Sequence, residues 1–351
     1  MIPETMRAVR VHGPGDLRVE RVAVPVPGAG DVLVRVRAVG ICTTDRKLAA
    51  RGTPGTDPRI LGHEIVGEIV VAGGGGASVR VAVAPNVGEG TCRWCEAGAT
   101  NYCAEFRAFG IHLDGGMAEY LLVPRHAAAA GHLIPLPESI DDERSALLEP
   151  LACCVEGLTA SGLRAGENVL VVGAGAMGRL HVAAALALGA GRVVVIGRNA
   201  ERLEHARALG AAVVIDEAAD DAEGVASQVL AATGGDGVDV AAVTVGDARA
   251  IEAAIAMLAT GGRLNVFAGV PAGARLSIDP NPLHYRHRTV LGTTGASLPT
   301  FRTTLALLAA GRVSLDGMVS ATFVFERAVD AFEAAARSEH ARVLLVPEEG
   351  A

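Results

Sequence analysis

The stretch that most constrains this chain is Val169 to Val172, which runs straight into Gly173-Ala174-Gly175-Ala176-Met177-Gly178 and then an Ala/Leu-rich segment. A strand-length apolar run, a Gly-x-Gly-x-x-Gly turn and a helix form the context a dinucleotide-binding unit requires. The first glycine permits the tight turn and the second lets backbone approach a pyrophosphate. The third lets helix and strand pack closely, and the helix N-terminus supplies partial positive charge. The rhythm continues through RVVVIGRNAERLEHARALGA, VVIDEAADDAEGVASQVLAAT, VDVAAVTVGDARAIEAAIAMLATGG and RLNVFAG. Strands alternating with helices of ~10 to 15 residues predict a parallel, doubly wound sheet. A Gly-rich turn in an ordinary α/β domain is the bland alternative, which the whole βαβ unit disfavours.

The flanks read differently. Residues 1 to about 125 are short β segments between turns, with VLVRVRAVGI (Val32 to Ile41) alternating as a half-buried strand does. MAEYLLVP (Met117 to Pro124) is a further strand, Gly73 to Gly76 a turn, and DDERSALLEPLACCVEGLTASG a helical stretch. After about residue 290 the βα rhythm stops, FRTTLALLAAGRVSL reads as one amphipathic helix, and ARVLLVP as a final strand. At 351 residues the chain exceeds what one core usually supports. The expected fold is α/β, with a β-rich domain (1–152 and 288–351) split around a dinucleotide-binding domain (153–287).

Thirty-one basic against 39 acidic residues leave a net charge of −8, which argues against nucleic acid or an anionic membrane as main partner. The apolar runs fall far short of the ~20 residues of a membrane span, and the N-terminus lacks an apolar signal core, so a cytoplasmic protein is expected.

About 20 residues beyond the glycine turn, an NAD binder normally places Asp or Glu to hold the ribose 2′-hydroxyl. Here the second strand ends in Gly197-Arg198-Asn199. Glycine removes the carboxylate that would repel a 2′-phosphate, and Arg198 offers a planar donor for one, so NADP(H) is expected over NAD(H). The alternative is that Arg198 stacks on adenine while NAD is used.

Three separated fragments carry plausible zinc ligands: Cys42 in GICTTD, His63-Glu64 in GHE, and Glu149 in LEPL. One thiolate, one imidazole and carboxylates leave room for water or substrate, as a catalytic zinc requires. Singly each is weak, since a buried Cys is usually just small and apolar. A second cluster is Glu89-x2-Cys92-x2-Cys95-x7-Cys103. Such spacing in a cytosolic chain favours a structural metal over disulfides, with Glu89 completing a Cys3Glu set; a loop whose metal is lost is the alternative. Trp94, the single tryptophan, is expected to pack this lobe.

Through GICTTD, GHEIVGE, the Cys loop, DGGMAEY, EPLACC and VLVVGAGAMG, the chain resembles the zinc-dependent medium-chain dehydrogenases/reductases of the alcohol dehydrogenase superfamily, most closely their polyol and threonine dehydrogenase branch. The resemblance spans nearly the whole chain. It implies a GroES-like catalytic domain split around a Rossmann domain, and a catalytic zinc held by Cys42, His63 and Glu64, with Glu149 as fourth ligand directly or through water. By position Thr44 resembles the hydroxyl that passes the substrate's proton, and Asp45 a residue supporting the metal from behind. The implied reaction is hydride transfer between NAD(P) and a secondary alcohol/ketone pair, on a small polar substrate such as a polyol, sugar, cyclitol or amino alcohol. Alternatives are a zinc-free reductase of activated double bonds and a nucleotide-binding protein without turnover.

The departures from the family pattern are Glu89 for a cysteine, Gly197 for an acid, and a GHE-strand turn shortened to Ala77-Ser78-Val79-Arg80-Val81. Lys47, the only lysine beside 30 arginines, stands where many relatives carry a relay histidine. It ends a proton relay, pairs with a cofactor phosphate, or is an exposed helix residue. His112 reads as a structural or cleft-bordering histidine, His284, Arg286, His287 and Arg288 as a basic loop, and Cys153 and Cys154 as packing. A homodimer or homotetramer is implied, with Arg263 to Gly269 as the candidate pairing edge.

Overall fold

The computed structural model describes residues 2–55, 58–72, 78–337 and 341–348; the Gly73 to Gly76 turn and Ala77 lie outside them. The chain divides into two compact units, one of residues 1–149, 296–310 and 318–351, the other of 150–295 and 311–317.

The first unit is built on a seven-stranded sheet. Across it run Leu133–Pro135, Val79–Val83, Glu64–Ala72, Val32–Gly40, Arg342–Val346 and Val319–Val324, with Tyr120–Val123 also paired to Val32–Gly40. The alternation expected of Val32–Gly40 holds only at Arg35 and Arg37; its other residues are buried. The strand is central, flanked by Glu64–Ala72, Tyr120–Val123 and the C-terminal strand, and its valines join one large core with Leu33, Ile65, Phe109 and Leu345. Antiparallel pairing sets Gly40 opposite both Glu64 and Leu344. The strand Arg342–Val346 thus reaches the place where the GIC and GHE fragments lie.

The MAEYLLVP segment forms a strand only from Tyr120 onward. Before that its backbone is shared among neighbours: the carbonyl of Met117 accepts from Val9 N–H, its N–H donates to Leu61, and the carbonyl of Glu119 accepts from Val36 N–H. The helical stretch after residue 141 is two helices, Asp142–Ala146 and Leu148–Ala160, the first capped by the Asp141 carboxylate accepting from Arg144 N–H. The late helix is Leu298–Ala309 and stops before Gly311, whose φ of 66° ends it short of the expected RVSL.

The second unit carries a six-stranded sheet whose pairings are all parallel, in the order Val213–Asp216, Arg192–Gly197, Asn168–Val172, Val238–Val243, Leu258–Val266, Thr289–Gly292. This is the doubly wound order with the glycine turn on a central strand. Val169, Val171, Val193 and Val195 are wholly buried because helices cover both faces. Two expectations change here. Arg263 to Gly269 is not an edge, because Leu258–Val266 lies inside the sheet; the edge strand is Thr289–Gly292. That strand also carries the dinucleotide unit past a boundary at 287. Among the described residues no helix is long and apolar enough to cross a membrane.

Candidate metal and dinucleotide sites

Ligand atoms of Cys42, His63 and Glu64 lie within 4.8 Å of one another. Cys42 precedes the helix Thr43–Arg51, and Glu64 opens the strand paired to Val32–Gly40. Their meeting is enforced by Asp45, which is fully buried. Its Oδ2 accepts from Cys42 N–H at 2.8 Å and its Oδ1 from Gly62 N–H at 3.1 Å, tying the helix start to the GHE turn. The same Oδ1 stands 3.4 Å from His63 Nδ1, which leaves Nε2 as the outward ligand atom.

Glu64 is fully buried, and its carboxylate lies over Gly40, where a Cβ would come 2.1 Å from Oε2. The glycine of GIC is therefore needed for the glutamate of GHE to fit. Nη1 of Arg342, itself buried, reaches Glu64 Oε1 at 3.0 Å. Reading the sequence overlooked this arginine, since one basic residue opening a C-terminal strand carries no local signal. Only the pairing of that strand with Val32–Gly40 places it here.

The donor set fits a metal ion. Glu64 Oε2 is buried without a hydrogen-bond partner among the described residues while Oε1 meets the Arg342 guanidinium, and a buried carboxylate oxygen is rarely left bare. Burial by itself raises the Cys42 thiol, but His63 and Arg342 bring it down to about 7. Burial disfavours a charged His63, yet Asp45 and Cys42 outweigh it and raise the imidazole. Burial raises the Glu64 carboxyl against the pull of Arg342. Glu149, at the start of Leu148–Ala160, adds negative charge felt by Glu64 and Arg342, but its carboxylate is not among the grouped ligand atoms. Thr44 is half-buried on the Thr43–Arg51 helix and Lys47 is exposed on it.

Glu89, Cys92, Cys95 and Cys103 form the second group, again within 4.8 Å, with Cys92 and Cys95 sulfurs 3.6 Å apart. Glu89 Oε2 accepts from Thr91 N–H at 3.0 Å and from its hydroxyl at 2.5 Å, and Oε1 accepts from Cys92 N–H at 2.6 Å. The Thr91 bonds, then that of Cys92, hold its carboxyl down at about 2. Burial lifts the Cys95 thiol to about 11. Trp94 stacks on Tyr102 at 5.1 Å with Arg93 over its ring, so it packs the lobe while staying partly exposed.

In the dinucleotide unit the three glycines have separate reasons. Gly173 has φ 104° and Gly178 approaches the Gly173 carbonyl so closely that a Cβ would stand 1.7 Å from it. At Gly175, the N-cap of Ala176–Ala187, a Cβ would meet nothing within 4 Å, so packing does not demand glycine there. That fits a backbone kept bare for a ligand. Ala176 and Met177 form the first turn, and the Met177 carbonyl accepts from buried His181 Nδ1 at 2.8 Å. At Gly197 a Cβ would lie 2.7 Å from that of Ala174, so no acidic side chain fits. The Asn199 side chain caps Ala200–Ala208 by accepting from Arg202 N–H, and Arg198 is exposed.

Of the other candidates, His112 and Arg288 are bonded within the fold, while His284, Arg286 and His287 are exposed. His112 Nδ1 accepts from Ala108 N–H, and Arg288 donates to the carbonyls of Ile255, Leu258 and Ala259. His284 packs edge-on to exposed Tyr285, the Arg286 carbonyl accepts from Gly261 N–H, and His287 adopts φ 51°. Cys153 and Cys154 are buried.

Comparison with known proteins shows the family. Residues 28–138 match the alcohol dehydrogenase GroES-like domain and 176–310 the zinc-binding dehydrogenase domain. The chain is 32% identical to L-galactonate-5-dehydrogenase of Escherichia coli K12, over 94% of this chain and 95% of that one. It is 33% identical to L-threonine 3-dehydrogenase of Pyrococcus horikoshii, over 94% and 95%. A protein of Sinorhizobium meliloti 1021, provisionally assigned as a zinc-binding dehydrogenase and solved bound to NADP, superposes with a TM-score of 0.89 at 35% identity, covering 98% of this chain and all of that one. The chain belongs to the zinc-binding alcohol dehydrogenase family, whose members include polyol, sugar-acid and threonine dehydrogenases.

Proposed function

We propose that this protein is a zinc-dependent, NADP(H)-preferring dehydrogenase of secondary alcohols on small hydroxyl-rich substrates, the class to which sugar acids, polyols and amino alcohols belong. The observation that carries the reading is the convergence of Cys42, His63 and Glu64, with a buried Glu64 oxygen that has no partner among the described residues. When bound, zinc supplies Lewis acidity at the substrate oxygen and the nicotinamide accepts or returns the hydride.

The residues have separate tasks. Cys42, His63 and Glu64 hold the metal, and Glu149 approaches it as a fourth ligand or through water. Asp45 orients the His63 ring, Thr44 moves the substrate's proton, and Lys47 takes that proton onward. Gly173, Gly175, Ala176, Met177 and Gly178 seat the pyrophosphate, and Arg198 holds the 2′-phosphate beside Gly197 and Asn199. Glu89, Cys92, Cys95 and Cys103 hold a second, structural zinc. The unit containing the metal groups is the catalytic domain and the parallel-sheet unit the dinucleotide domain. The free edge of Thr289–Gly292 offers backbone for pairing two copies into a homodimer or homotetramer. The location is cytoplasmic.

The substrate class is supported by the acidic metal set and by relatives that act on L-galactonate and L-threonine by name. The test is a spectrophotometric screen of polyols, sugar acids, cyclitols and amino alcohols with NADPH and NADH, paired with zinc quantification. Zinc-dependent turnover with higher kcat/KM for NADPH is expected. Turnover that survives complete chelation, or a clear NADH preference, overturns the corresponding part.

A further inference from the structure

The second strand of the parallel sheet ends at Gly197 with no room for a side chain, yet a carboxylate is present at the same sheet edge, one strand over. Glu217 follows Val213–Asp216, and its N–H donates to the Gly197 carbonyl at 2.9 Å. Its Oε1 accepts from Arg198 Nε at 2.8 Å. The neighbouring Asp216 is turned away, accepting from Ala218 N–H at 3.0 Å. The Arg198 side chain is 76% exposed and that of Glu217 33%. Arg198 is therefore not a free cation awaiting an anion; its one charged partner among the described residues is Glu217.

We propose that Glu217 is a specificity-determining residue for the dinucleotide: by pairing with Arg198 it competes with the 2′-phosphate and restrains the NADP(H) preference that Arg198 alone would confer. The proposal rests on the NADP(H) reading above. A 2′-phosphate must take N–H donors from Arg198. It either displaces Glu217 from the guanidinium or binds its terminal nitrogens with the Glu217 carboxylate left close by, and like charges at that range repel. Both routes weaken binding of the phosphorylated cofactor and leave a 2′-hydroxyl unpenalised. The pair lies in water, so the expected factor is modest, about two- to fivefold.

The test titrates NADPH, NADH, 2′,5′-ADP and 5′-AMP into the full-length wild type, E217Q, R198Q and the double variant, by nucleotide fluorescence and calorimetry. E217Q keeps the shape of the side chain and removes its charge. It should tighten 2′,5′-ADP and NADPH about two- to fivefold at low salt, with the gain shrinking by about 0.5 M salt. Binding of 5′-AMP and NADH should stay within error. R198Q/E217Q should show no gain over R198Q. Unchanged or weaker 2′,5′-ADP binding in E217Q overturns the proposal, as does a gain that persists without Arg198. The NADP(H) reading is judged separately, on wild type: it fails if 5′-AMP binds as tightly as 2′,5′-ADP, whatever E217Q does.

Discussion

Two groups of potential metal ligands sit in the same structural unit and differ in how they are held. Cys42, His63 and Glu64 are drawn from distant stretches, with a buried imidazole held by Asp45 and a buried carboxylate that meets Arg342 through one oxygen and leaves the other without a partner among the described residues. Glu89, Cys92, Cys95 and Cys103 come from one loop of 15 residues; Glu89 is exposed, and its carboxylate is already satisfied by Thr91 and Cys92. The inner group is assembled by the whole sheet, with Asp45 and Arg342 arranged around it. The outer group is assembled by its own turns. Donor type already separates the two, a mixed set against three thiolates and a carboxylate; burial and the fate of each lone pair sharpen the difference.

The contrast is broken most completely at His63. H63A should lower kcat/KM by about 10³-fold or more, since Lewis-acid assistance is worth several kcal/mol. It should also remove one zinc equivalent while the other stays. Loss of both equivalents would show that the groups are not independent.

R342M tests what encloses the inner group. Removing one partner of a buried ion pair typically costs about 3–5 kcal/mol. Urea unfolding of the chelated protein should show that loss, and the metal-loaded protein a smaller one, because the ion then balances Glu64. Equal losses in both forms would mean that Arg342 serves packing alone.

C95S should release the outer zinc equivalent and lower Tm by about 5–10 °C, with kcat nearly unchanged. A collapse of kcat would tie the outer loop to the chemistry. The smallest effect is expected of E89Q, which keeps the side chain's length, turns one of two accepting oxygens into a donor and loses a charged ligand. Zinc retention against a chelator should weaken roughly tenfold, and unchanged retention would mean that three thiolates suffice.

Much of this was legible before any coordinates. The glycine turn and the βα rhythm are local, so the parallel, doubly wound sheet could be read directly. The outer group was equally legible, because four ligands within one loop have a spacing that means something on its own. Cys42, His63 and Glu64 could be named as plausible ligands from residue type, but singly each signal was weak, and the family resemblance of their motifs joined them into one set. Glu217 and Arg342 were not nameable at all, and the edge of the parallel sheet was misplaced. A strand's rank in a sheet is a property of its neighbours, and Arg263 to Gly269 reads the same whether or not Thr289–Gly292 pairs beside it.

By itself the sequence determined the α/β class, the place of the glycine turn, the absence of an acid at 197, and which side chains could coordinate a metal, because those follow from residue type and short-range spacing. Tertiary structure alone decided that Glu64 lies over Gly40 against Arg342, that Glu149 stands outside the inner ligand group, and that Arg198 is paired with Glu217. Each of these depends on which distant strands become neighbours, and burial and charge pairing are set by that proximity.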